Sequence, residues 1–123
     1  MKRKYLSLAL LILIFLYATP ILNAQLLTWY EDDIQGLVSQ KTYDEYQLGR
    51  PYQVRVKINT CSYEVFVRIM QPGDTVWSGI LGPGESTGYQ NCDPDYDTWV
   101  WIEHPGGTPM GVSYTGTIRY YSN

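Results

Sequence analysis

Two stretches in the middle of the chain alternate with a strict period of two. In "YQVRVKIN", Tyr52, Val54, Val56 and Ile58 fall on one side and Gln53, Arg55, Lys57 and Asn59 on the other. In "YEVFVRIM", Tyr63, Val65, Val67 and Ile69 share a side, Glu64 and Arg68 lie opposite, and Phe66 and Met70 are outward apolar exceptions. Successive side chains of a strand point to opposite faces, so this pattern describes strands with one face in a core and one in water. Antiparallel sheets commonly have this character. Such a sheet must bury its aliphatic face against a second layer.

The punctuation agrees. "QPGD" and "GPGE" are Pro-Gly turns that bracket a third strand, "TVWSGIL". "TWVWIE" reads as a strand apolar on both faces, "HPGGTPMG" as a loop, and "VSYTGTIRYY" as a last alternating strand with Gly116 inside it. Strands at about ten-residue spacing with no helical window indicate an all-β protein, a small antiparallel β-sandwich of Ig-like or jelly-roll-like kind. The least regular part is Gln25 to Pro51. It suggests a short strand near Leu27–Tyr30, a turn at Glu31–Asp33, and irregular chain or a second short strand toward Leu48. The segment 25–48 could pair within its own chain or act as a donor strand for another copy.

The first 24 residues stand apart. Lys2, Arg3 and Lys4 precede the apolar run from Tyr5 to Ala24, which Pro20 interrupts near its end. This is the layout of a secretory signal peptide, with residues 25–123 as the single mature domain. Leu22 is large for its place three residues before a cut after Ala24. An uncleaved signal anchor is therefore the alternative, and the run is long enough to span a bilayer. Without these residues the chain keeps six basic residues against twelve acidic ones, a net charge of −6. That balance opposes nucleic acid, whose phosphates demand Lys and Arg, and anionic membrane surfaces. The expected location is secreted or cell-surface, with membrane contact only through an uncleaved segment.

Only two cysteines exist, Cys61 and Cys92. Export implies oxidising conditions, so a Cys61–Cys92 disulfide is the expectation. It would contribute roughly 3–4 kcal/mol by closing a long loop. It requires Cα atoms within about 7 Å, hence both cysteines at one end of the sandwich. Residues 82–97 would then be a long connection at that end, with Thr87–Gln90 as a short edge piece.

Candidate chemistry is sparse. Asp93, Asp95 and Asp97 have a spacing that can surround Ca²⁺, but Thr98 and His104 stand where an EF-hand loop needs Gly and Glu. An Asp-Pro turn is the simpler reading, and no cofactor is expected. Glu103 and His104 are adjacent and would point to opposite faces of a strand, and a lone histidine before Pro-Gly-Gly selects no nucleophile. No enzymatic activity is expected. The aromatic content is the anomaly, with ten tyrosines and four tryptophans after residue 24. In "TWVWIE" the period-two rule puts Trp99 and Trp101 on one face and Val100 and Ile102 on the other. Burying the aliphatic pair leaves the indoles as a platform for sugar rings or a protein ligand, with Trp77 as a possible neighbour, Trp99 the more exposed, and Trp101 covered by the loop 104–113.

The alternation, the "PGD…GPGE" turns and the closing "VSYTGTIRYY" resemble secreted jelly-roll or Ig-like accessory modules. That resemblance carries over no individual residues. The sequence therefore points to a small exported, non-enzymatic module that binds a glycan or extracellular protein. The alternative is a self-assembling extracellular subunit that uses edge strands and copies of itself.

Overall fold

The computed structural model describes residues 27–123. The expected signal segment lies outside the described residues. Eight strands are present among them: β1 (Thr28–Val38), β2 (Tyr43–Gln47), β3 (Gln53–Cys61), β4 (Val65–Gln71), β5 (Asp74–Leu81), β6 (Gln90–Asn91), β7 (Trp99–Glu103) and β8 (Val112–Ser122). They form two four-stranded sheets, in the orders β1-β8-β3-β6 and β2-β7-β4-β5. Every pairing is antiparallel. Consecutive strands change sheet at every connection but one, the β4–β5 hairpin. This is connectivity of the jelly-roll kind, and it sets the first and last long strands side by side.

The alternating sequences supply the core. Val54, Val56 and Ile58 of β3 and Val65, Val67 and Ile69 of β4 are fully buried, and Val100, Ile102, Val112, Tyr114 and Ile118 close over them. Branched side chains suit this pleated, two-layer packing. Burying one such side chain is worth about 1.5–3 kcal/mol. Pro72 and Gly73 make the two-residue turn of the hairpin, and Gly73 takes the left-handed φ of 71° that a type II turn requires at that place.

Two expectations are corrected, and one open alternative is decided. β1 is one continuous eleven-residue strand, not a short strand followed by a turn. Glu31 and Asp33 face outward, and Asp32 lies toward the open end of the sandwich, where the sheet interior reaches solvent. An acidic run therefore does not interrupt the ladder. β1 and β2 also pair in cis, with β8 and β7 respectively.

The intramolecular disulfide is the second correction. Both thiols are free. The backbone N–H of Cys92 donates to the Tyr52 carbonyl, just before β3, whereas Cys61 ends β3. Nine residues of extended chain place these points about 30 Å apart, far beyond disulfide reach. The segment after β5 is not a connection confined to one end. It runs the length of β3, with Gly84 and Ile58, Thr87 and Val56, and Cys92 and Tyr52 joined by backbone hydrogen bonds. What fixes the following "DPDYD" turn is Gln71, which is buried. Its amide donates to the Asp93 carbonyl (2.7 Å) and the Thr98 hydroxyl (3.0 Å) and accepts from the Asp93 N–H (3.2 Å).

Candidate functional site

The register of the second sheet decides where the tryptophans lie. Val100 pairs with Ile69 and Ile102 with Val67, so Trp99 and Trp101 both project from the outer face. Directly opposed residues share a face. Across β7, Trp101 is flanked by Glu45 of β2 and Arg68 of β4, and Trp99 by Gln47 and Met70. Both tryptophans are half-buried, and both ring N–H groups are buried with no hydrogen bond among the described residues. The ring against Trp101 is Tyr43, with centroids 5.2 Å apart. Arg68 crosses the same face, with its Nε 2.9 Å from a Glu103 carboxylate oxygen and its guanidinium 4.9 Å from the Phe66 ring. The result is a strip of aromatic and thioether surface with one half-buried ion pair in it.

Trp77 does not join this strip. It pairs with Ile69, so it projects inward, and its ring packs against the core over Gly79, where an added Cβ would meet it at 2.8 Å. Period two within each strand is legible in the sequence. The phase between β5 and β7 is set by a ladder that includes an irregularity after Ile69.

The outer face of the first sheet carries a second cluster, which single-strand patterns do not reveal. Trp29, Tyr121, Gln53 and Asn91 form one row across four strands. Trp29 stacks on Tyr121 (4.9 Å) and meets Tyr89 edge-on (5.2 Å). Arg119 lies over Trp29 at 4.8 Å and donates to the Tyr89 hydroxyl at 3.0 Å, while Arg55 lies over Tyr89 at 5.1 Å. Trp29, Tyr52, Gln53, Asn91, Cys92 and Tyr121 line a cleft of about 400 Å³ at the end of this face.

The three aspartates do not converge. Asp93 accepts from the Asp95 N–H within its own turn, and Asp97 pairs with Arg50 at 3.3 Å. No group of three or more His, Cys, Asp or Glu side chains is placed to hold a metal among the described residues. His104 serves its loop. Its Nε2 lies 2.8 Å from the Met110 carbonyl, and its Nδ1 accepts from the Gly106 N–H at 3.0 Å. With Nε2 as the donor, both nitrogens are engaged.

Burial raises five titratable groups among the described residues. Burial pushes the Cys92 thiol up to about 11, partly offset by Thr98. Burial, reinforced by the Asp44 carboxylate and the Tyr46 hydroxyl, holds the Tyr114 phenol far above its ordinary range; its O–H donates to Asp44 at 2.6 Å. Tyr46, Tyr120 and Cys61 are raised by burial as well. These shifts favour the neutral forms, so the buried groups react only through a small ionised fraction, which slows attack without preventing it.

No family model and no curated protein matches the sequence. Solved structures share its shape. A protein of the Bacillus endospore appendages, described as a novel family of disulfide-linked pili, aligns with a TM-score of 0.54 at 15% identity over 79% of this chain and 88% of its own. FLHE aligns with a TM-score of 0.46 at 14% identity, over 79% of this chain and 97% of its own. The carbohydrate-binding module CBM36, solved with calcium and xylotriose, aligns with a TM-score of 0.41 at 15% identity, over 74% and 87%. At these identities the first likeness concerns the fold alone: a two-sheet β-sandwich that also serves in a pilus.

Proposed function

We propose that this chain is an exported, non-enzymatic structural subunit that packs against copies of itself at the cell surface or outside the cell. The observation that carries the reading is the free edge of β5. Natural edge strands are guarded by charge, proline or bulges, because an open row of N–H and C=O groups invites another strand. β1 and β2 follow that rule, with Glu31, Asp32 and Asp33 on one and Asp44 and Glu45 on the other. β5 holds no Lys, Arg or Pro, and its only charge is Asp74 at its start. The ladder irregularity lies near that start, leaving Trp77–Leu81 regular, with Ile80 half-exposed beside it. A second strand added to this edge is a recurrent mode of protein recognition. The pilus protein of similar fold is consistent with such a role.

Light scattering on the exported chain tests this. Concentration-dependent oligomers are expected, and the pair Ser78→Lys and Ile80→Lys should return the protein to monomer without unfolding it. A wild-type protein that stays monomeric at millimolar concentration would sink the proposal.

A second reading, a binding module for a glycan or extracellular protein, rests on the outward Trp99–Trp101 strip. Retention on immobilised polysaccharides that Trp99→Ala abolishes would favour it.

A further inference from the structure

We infer that copies of this chain join end to end through a disulfide between Cys61 of one copy and Cys92 of the next. The inference rests on the self-assembly reading and adds to it the faces that meet and the bond that locks them. Its starting point is that the two thiols terminate opposite ends of one rigid strand pairing. Cys61 closes β3, and Cys92 is bonded to the residue before β3. They cannot bond within one molecule, yet each reaches the surface in part. A bond from one end of a molecule to the opposite end of the next is heterologous, so it repeats head to tail and yields a chain of copies, closing into a ring only where the rotation between copies brings its ends together.

The two ends are chemically matched. At the Cys61 end, Met110 is 73% exposed and Leu37 is 68% exposed, with Tyr63 beside them. Leu37 packs on Gly111, and Tyr63 and Met110 line a cleft of about 560 Å³ that also includes Ser62, the neighbour of Cys61. At the Cys92 end the cleft is aromatic, walled by Trp29, Tyr52 and Tyr121, with Cys92 in its lining. Exposed aliphatic and thioether side chains on one end and flat aromatic walls on the other are complementary, since methionine sulfur packs favourably on aromatic rings. Apolar groups so exposed at one end of a small domain mark a contact surface. A covalent bond also lets a small end-on contact persist where its buried area alone would not hold.

The chemistry balances with a low-molecular-weight disulfide as oxidant. The Cys61 thiolate, from the less buried of the two thiols, attacks oxidised glutathione and releases one glutathione thiol. Cys92 of the next copy then gives up its proton and attacks the Cys61 sulfur of the mixed disulfide. That step forms the inter-subunit S–S bond and releases the second glutathione. Two protein thiols are oxidised and one glutathione disulfide is reduced to two thiols.

The test uses the chain as exported by cells expressing the full 123-residue sequence. It is reduced and then treated with oxidised glutathione, and read on non-reducing denaturing gels. The wild type should give a ladder of dimer, trimer and higher species. Cys61→Ser alone and Cys92→Ser alone should each stay monomeric. A 1:1 mixture of the two variants should give dimer and stop there, because each molecule then offers one end. A dimer from either single variant overturns the inference, since it would show like ends pairing. Absence of a wild-type ladder overturns it too. If oligomers then persist by light scattering under reducing conditions, the self-assembly reading stands without the disulfide. If they do not, both fail.

Discussion

Among single residues, the tryptophans separate by face. Trp77 packs on the core above Gly79, whereas Trp99 lies on the outer surface of β7. Trp77→Ala should cost about 3 kcal/mol in urea unfolding and Trp99→Ala about 1 kcal/mol, the difference reflecting the cavity left only in the first case. The buried phenols and the Cys92 thiol give a second expectation. Their folded pKa values are raised, so their neutral forms stabilise the fold fully below the unfolded values and that contribution is lost as pH rises through the folded ones. For Cys92 the window runs from 9.0 to about 11, and Tyr114 and Tyr46 lie above their ordinary 10.0. Stability should be level up to about pH 8.5 and fall beyond it. Tyr114→Phe should make that alkaline fall shallower, as followed by tryptophan fluorescence across a pH series.

At the scale of the strand, β8 is the element on which the first sheet depends, because it is bonded to β1 on one side and β3 on the other. Gly116 sits at its centre, facing inward, and an added Cβ would collide with the Lys57 carbonyl. Gly116→Ala should therefore destabilise by about 1–3 kcal/mol and lower the thermal midpoint, as overpacking a tight contact does. The strands with strict alternation, β3, β4 and β8, were legible from sequence because each buries one aliphatic face. β1 was not, because Tyr30 and Asp32, on its inner face, lie at the open end of the sandwich, where burial no longer sorts residues by face. The site was legible in part for the same reason. Trp99 and Trp101 follow from the burial of Val100 and Ile102, whereas the Trp29–Tyr89–Tyr121 cluster depends on how three strands and a loop are brought together. The cysteines were misread because pairing was inferred from oxidation chemistry before the path of residues 84–92 along β3 could be known.

For the whole molecule, the pairing of β1 with β8 joins residues from opposite ends of the described residues, with Thr28 opposite Ser122. Opposed residues in an antiparallel ladder lie about 5 Å apart at their Cα atoms. These distant segments must therefore meet before that ladder can form, and folds dominated by such distant pairings reach the native state in milliseconds to seconds. A circular permutant that joins Asn123 to Leu27 through a short glycine linker and opens the chain between Gly106 and Gly107 makes the β1–β8 pairing a local hairpin. Stopped-flow refolding should be faster for the permutant, while its unfolding midpoint stays close to that of the parent. An unchanged refolding rate would mean that the slow event lies in the other sheet. The jelly-roll order thus gathers its longest-range pairing into a single ladder, one that a change of connectivity makes local without altering a contact.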